Sequence, residues 1–165
     1  MRVIRNEDDQ DPAVLKFSRK FSNPARPSSE VPDLPRHLDD LSDKDLMDLY
    51  SEFMSWVSYA KAEMVGAEID EEREANFLRI LEAKVLIEQW GAEAKGDRVT
   101  IAKARRDIDS RVISQQDQHR QARAYRKLVE AMFDRCERGA QLLSRELSRR
   151  IGLHSKETRG SRFAP

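Results

Sequence analysis

Apolar residues recur at alternating intervals of three and four positions along most of the chain, which is the spacing of one face of an α-helix. One run of this pattern occupies residues 46–85, and a second occupies residues 101–147. Helical patterns longer than about 25 residues are typical of coiled coils rather than of compact domains. The pattern predicts an all-α fold in which two helices of matched length, over residues 43–94 and 98–151, form a long antiparallel hairpin.

The start of the first helix carries a clear capping signal. Ser42 and Asp45 have the layout of a capping box, with Asp where Glu or Gln is usual, and Leu41 and Leu46 occupy the two hydrophobic-staple positions. We therefore expect the helix to begin directly after Ser42.

Other boundaries follow from glycines and from polar interruptions. Gly96 and Asp97 predict the turn and the N-cap between the two helices, and Gly152 occupies a position suited to a C-terminal cap. Polar stretches near Glu71 and Gln116 leave open a second possibility, in which kinks divide the hairpin into four shorter helices.

Five of the six prolines lie between residues 12 and 35. Each proline removes a backbone donor and biases the preceding residue towards extended geometry, so this stretch cannot form a regular helix. The chain therefore divides into an N-terminal arm (residues 1–40), a helical hairpin domain (41–153) and a C-terminal tail (154–165). We expect the hairpin to fold without the arm.

Charge is distributed unevenly, although 30 basic and 30 acidic residues give a net charge of zero. Residues 41–96 hold 6 basic and 13 acidic residues, whereas residues 97–165 hold 17 basic and 9 acidic residues. This asymmetry indicates an anionic partner for the second half, or self-association. It is equally consistent with two helices that neutralise each other.

On a helical wheel, most basic residues of the second helix fall opposite its apolar stripe, where they could follow a phosphate backbone. A solvated helix face has the same appearance, so both interpretations remain open. Two further arginines lie near the turn, and two more at the end of the helix. The candidate DNA-binding residues are Arg105, Arg106, Arg120, Arg123, Lys127, Arg138, Arg145, Arg149 and Arg150.

The apolar face of each predicted helix, which we call its seam, predicts self-association, because a hairpin of two long helices buries little surface by itself. The residues expected to form contacts between chains are Phe53, Val57, Leu78, Leu81, Val129, Phe133, Leu143 and Leu147.

Residues for catalysis or cofactor binding are not apparent. Cys136 is the only cysteine, and the three histidines do not pair at metal-binding spacing. The acidic group at residues 70–74 is better explained as solvated charge than as a metal site. Trp56, off the seam, is the best candidate for stacking on bases. We expect a non-enzymatic protein without a cofactor, and neither a membrane span nor a secretory signal is readable, which favours the cytoplasm.

Several strings resemble the UvsY-type recombination mediators of T-even-like phages. They are YSEF at residues 50–53, AKAEM at 60–64, and LVEAMFDRC at 128–136 after a polar stretch and Tyr125. The resemblance spans residues ~45–150. The family's first helix is Lys-rich where residues 70–74 are acidic here, so DNA contacts are assigned to the second helix from the wheel alone.

The resemblance implies a homo-oligomer that binds single-stranded DNA. It would help to load a RecA-like recombinase onto DNA covered by a single-strand-binding protein. The alternative is a phage structural, assembly or adaptor protein built from helical coiled coils. In that case the arginine face pairs with the acidic helix of another chain.

Overall fold

The computed structural model describes residues 22–27, 30–90 and 98–162 and the single positions 12, 16 and 20. Within these ranges helices are the only regular secondary structure and no strand is present, so the fold is all-α, as the sequence predicts. The helices are α1 (Asp43–Trp90), α2 (Arg98–Ile108) and α3 (Ser110–Arg162). The turn predicted at Gly96 and Asp97 lies outside the described residues.

Helices α1 and α3 pack against each other over most of their length, and α2 contacts both. Their contacts run in opposite directions along the two helices. Near the start of α1, Asp43 pairs with Arg150, whereas near its end Glu88 pairs with Arg111. The predicted antiparallel hairpin is therefore confirmed.

The start of α1 forms as the capping signal predicts. The backbone N–H of Asp45 donates to Ser42 Oγ at 3.1 Å, and Ser42 Oγ donates to the Asp45 carboxylate at 2.6 Å. Leu46 is fully buried, and Leu41 packs against the cluster that contains it. Side-chain capping thus satisfies backbone donors that the helix itself leaves unpaired.

The interruption in the second half lies at Asp109 rather than at Gln116, and α1 is continuous through Glu71. Asp109 ends α2 and caps α3, because its carboxylate accepts the N–H of Arg111 at 2.8 Å. Bonds from Arg111 lower the pKa of the Asp109 carboxyl. An aspartate that accepts hydrogen bonds from free N–H groups at a helix start lowers the free-energy cost of interrupting the helix. Polar residues that are compatible with a helix do not by themselves cause an interruption.

Gly152 does not end the second helix, so that prediction is wrong. Helix α3 continues to Arg162 and includes most of the predicted tail at 154–165. A methyl group at Gly152 would meet no atom within 4 Å. One exposed glycine costs a helix only about 1 kcal/mol relative to alanine, which does not by itself terminate it.

The main core lies where the first third of α1 meets the middle third of α3. Leu46, Phe53 and Trp56 from α1 are buried there against residues of α3. Cys136, Ala140 and Leu143 are the buried residues that α3 contributes.

The end of the arm and the residue that follows it, together residues 31–41, pack on this core. Val31, Leu38 and Leu41 lie against the buried cluster and add a third layer to the two helices. The expectation that the hairpin folds independently of the arm overlooked this layer. A short apolar segment reduces the exposed surface of a two-helix core even when it forms no helix or strand.

Candidate nucleic-acid interface

Four cations project from the side of α3 opposite the core. Arg120, Lys127, Arg138 and Arg145 are exposed, and they are separated by 7, 11 and 7 positions. Each interval is close to a whole number of helical turns, so the four side chains form one row about 38 Å long. We call these four residues the outer row.

Acidic neighbours hold the outer row only weakly. Arg120 pairs with Asp117 at 3.1 Å, and Arg138 pairs with Asp134 at 3.6 Å, with both arginines about three-quarters exposed. Exposed pairs of this kind contribute about 0–1 kcal/mol, so a phosphate group competes with them readily. Lys127 and Arg145 make no ion pair within the described ranges.

Arg105 and Arg106 lie on α2, separate from the outer row. Arg106 is held by its neighbour Asp107, to which its guanidinium donates at 2.6 and 2.9 Å. The structure therefore does not bring the two predicted residues of α2 into the row on α3.

Arg149 and Arg150 bind the arm. Arg149 pairs with Asp39 at 2.5 Å and Glu146 at 2.7 Å. Arg150 is mostly buried and donates to the carbonyl oxygens of Leu38 and Leu41, each at 2.8 Å. These contacts assign Arg150 a structural role, as the clamp that holds the arm on α3.

Glu146 is the acidic centre of this clamp. Hydrogen bonds from Arg149 and Arg150 lower the pKa of the Glu146 carboxyl from its ordinary 4.5 to about 2. The lowered pKa means that the folded protein favours the charged carboxylate more than the unfolded chain does. Glu146 therefore contributes stability above pH 4.5, and this contribution is lost as the pH falls from 4.5 to about 2.

Replacing Glu146 by glutamine is expected to reduce the loss of melting temperature between pH 5 and pH 2.5. The reason is that the variant has no carboxylate to protonate at the clamp. Thermal unfolding followed by circular dichroism at several pH values measures the difference. The control is Glu137→Gln, since Glu137 lies on the same helix and has no ion pair within the described residues. Equal pH profiles for wild type and Glu146→Gln would contradict the role of the clamp.

Other arginines in the second half of the chain form ion pairs with carboxylates of α1. Arg126 Nε donates to Glu71 at 2.5 Å, and Arg123 lies 3.9 Å from the same carboxylate. Arg111 bonds to Glu88 at 2.8 Å. The acidic first half and the basic second half thus partly neutralise each other, as one of the two interpretations of the charge asymmetry expected.

Trp56 is not available for stacking on bases, so that prediction is wrong. Its side chain is 4 % exposed and contacts Tyr59 edge to face at 5.8 Å. Among the described residues, the buried indole Nε1 has no hydrogen-bond partner. A position off the main seam is buried here because Tyr59 and the core cluster cover that side of α1.

The seam residues assigned to contacts between chains pack within the hairpin. Phe53 is 1 % exposed and Leu143 is 0 % exposed, because α1 and α3 of the same chain bury them. Neither residue presents a surface to a second chain, which corrects the expectation for both. The remaining six are half-buried: Val57, Leu78, Leu81, Val129, Phe133 and Leu147.

The acidic group at residues 70–74 is used in contacts between and along the helices. Glu71 binds Arg126, Glu74 accepts from the Gln115 amide at 2.8 Å, and Asp70 pairs with Arg73 at 3.3 Å. Among the described residues, no group of three or more histidine, cysteine or acidic side chains could hold a metal ion.

Comparisons of the chain with protein-family models, curated protein sequences and solved structures found no match. Within the part of the chain that the structure describes, no helix has both the length and the apolar character that crossing a membrane requires.

Proposed function

We propose that this protein is a non-enzymatic protein that binds the backbone of single-stranded DNA along the outer row of α3. The observation that supports this proposal is the alignment of four exposed cations on one side of one continuous helix. Each cation that contacts a phosphate releases condensed counterions, and that release provides affinity without regard to sequence. Since Trp56 is buried, the contacts we propose are to phosphates rather than to bases.

The resemblance to UvsY-type mediators supplies the more specific part of the proposal. In this function, several copies bind one strand together and displace a single-strand-binding protein from it. The exposed strand is then offered to a RecA-like recombinase. Binding by several linked rows strengthens the complex well beyond the affinity of a single row.

The test is a triple variant in which Lys127, Arg138 and Arg145 are replaced by glutamine. Glutamine has nearly the helix propensity of lysine and arginine, so α3 is expected to stay folded. We expect weaker binding to all single-stranded oligonucleotides. The slope of log affinity against log salt should flatten by about 0.7 for each lost contact in each chain that touches the strand. Arg149 is kept, because its removal would also disturb the arm.

The matched control replaces three exposed cations elsewhere, Arg36, Lys44 and Lys103, by glutamine. This variant loses the same net charge but keeps the outer row, so its salt slope should stay close to that of the wild type. Fluorescence anisotropy at four salt concentrations gives both slopes. Equal slopes for the two triple variants would reject the outer row as the DNA site.

The second candidate is a structural, assembly or adaptor protein built from helical coiled coils. The ion pairs between α3 and α1 favour it. Arg126 and Arg111 are held by carboxylates of α1, which lowers the number of cations available to DNA. An assembly or adaptor protein would show little DNA binding at either low or high salt. The same titration therefore separates the two candidates.

A further inference from the structure

The side of α1 opposite its buried residues carries a row of exposed large apolar residues, with the exposed Glu72 and Asn76 between them. Met47, Met54, Val65, Ile80 and Ile87 are between 40 % and 73 % exposed, although all five are large apolar residues. They are separated by 7, 11, 15 and 7 positions. Intervals of 7 and 11 lie within about 20° of a whole number of turns and 15 lies about 60° past one, so the five residues share a sector of about 80° on one side of the helix. We call this side the α1 outer face.

Small residues between these positions would let another helix approach closely. Ser51 and Ser58 lie on the α1 outer face, and their hydroxyl groups donate to the carbonyl oxygens of Met47 and Met54, each at 3.0 Å. Their donors are therefore already satisfied within α1, so burying them leaves no donor unpaired.

Gly66 gives a further indication at the midpoint of the helix. A glycine inside a helix lowers its stability relative to alanine, and a methyl group at Gly66 would meet no atom within 4 Å. The contacts within the chain thus do not account for this glycine. Close approach of a second helix at that level would do so.

The exposed surface of the chain is also large for its mass. The chain exposes 12759 Å², whereas a compact monomer of 19.1 kDa exposes about 8,400 Å². A stable dimer needs only about 800 Å² from each partner. The excess is therefore sufficient for an interface along a helix of 48 residues.

When the half-buried Ile69 is counted with these five residues, the apolar positions are separated by 7, 11, 4, 11 and 7, which is the same spacing in both directions and selects the occupant. Counting inward from both ends, Met47 corresponds to Ile87 and Met54 corresponds to Ile80. Between them, Ser51 corresponds to Ala83 and Val65 to Ile69. A face with this property matches itself when a second copy lies antiparallel, as a two-fold interface requires.

We propose that two copies of this chain pair through their α1 outer faces, with the two α1 helices antiparallel and the two-fold axis beside Gly66. Met54 of each copy then lies against Ile80 of the other. The interface is built from α1 alone, although Met54 lines the same groove as Arg145 of the outer row.

The first test is the oligomeric state of the full chain, measured without DNA by sedimentation over a range of concentrations. We expect a dimer for the wild type and a dissociation constant at least about 100-fold higher for Ile80→Glu, which places a carboxylate against Met54 of the second copy. The matched control is Leu142→Glu on α3, because Ile80 and Leu142 are both 43 % exposed. Helix content by circular dichroism should be unchanged in both variants, since both side chains are partly solvated in the single chain.

A charge pair tests the register. The double variant Met54→Lys with Ile80→Glu places opposite charges against each other twice, so at least about ten-fold of the lost affinity should return. A wild type that stays monomeric at all concentrations would overturn the proposal. Equal effects of Ile80→Glu and Leu142→Glu, or no recovery in the double variant, would overturn it as well.

A disulfide gives a covalent readout of the same register. Ser51→Cys with Ala83→Cys should yield a dimer linked across the two chains on mild oxidation, whereas Ser51→Cys alone should not. Within one chain these positions lie about 48 Å apart along α1, so they cannot bridge each other. Cys136 does not interfere, because it is buried and burial raises the pKa of its thiol. Absence of the crosslink in the double variant would contradict the antiparallel register.

Discussion

Replacing Gly139 by valine is expected to destabilise the protein by about 3 kcal/mol or more, which is the upper part of the range for overpacked cores. A Cβ atom at this position would lie 2.4 Å from Cε1 of the Phe53 ring. Phe53 is only 1 % exposed, so its ring cannot move aside without displacing other core residues. The free energy of unfolding from urea titrations measures the loss.

Gly152→Val is the control, because it lies on the same helix and a methyl group there meets no atom within 4 Å. Its effect should stay within about 0.5 kcal/mol, since valine and glycine differ little in helix propensity. A second check combines Gly139→Val with Phe53→Ala. The combined loss should be smaller than the sum of the two single losses, because removing the ring also removes the clash. Strict additivity would show that the two residues do not meet.

Deleting residues 1–38 is expected to lower the free energy of unfolding by about 2–3 kcal/mol, from the apolar area that Val31 and Leu38 bury. For a chain of this size, the melting temperature should fall by about 5–10 °C. Asp33 also leaves with the arm, and with it the 2.6 Å pair to Arg135. Differential scanning calorimetry on the full and shortened chains measures the shift.

Two point variants show whether packing by the arm is the cause. Leu38→Ser should reproduce part of the loss, since Leu38 packs against the core. Leu34→Ser should have little effect, because Leu34 is exposed although it lies in the same segment. A shortened chain with an unchanged melting temperature would restore the original expectation that the hairpin folds by itself.

Helix type, helix direction and the start of α1 follow from local sequence. A spacing of three and four positions specifies one helix face, and a short connection between two long helices leaves only an antiparallel arrangement. The Ser42 cap depends on residues three positions apart, so it too is visible without tertiary information. The same applies to the cap at Asp109, where the Asp-Ser pair at the start of α3 is a signal that the polar stretch around it obscured.

Other features depend on distances between residues far apart in the chain. The sequence grouped Arg149 and Arg150 with the candidate DNA-binding residues, but only the fold brings them to residues about 110 positions earlier. Helical periodicity assigns a side chain to a face of its own helix, and it does not specify what packs on that face. For this reason the pattern alone could not distinguish a cation that is available to bind phosphate from one that is already paired with a carboxylate.

The apolar seam shows the same limit most clearly. The sequence by itself determined that Phe53 and Leu143 would be buried, because apolar residues at helical spacing leave water wherever a partner is available. Whether that partner belongs to the same chain or to another was decided only by the tertiary structure, in which the glycine at 139 lets the Phe53 ring approach α3 closely. Burial is a property of composition and spacing, whereas the identity of the covering surface depends on how the whole chain closes on itself.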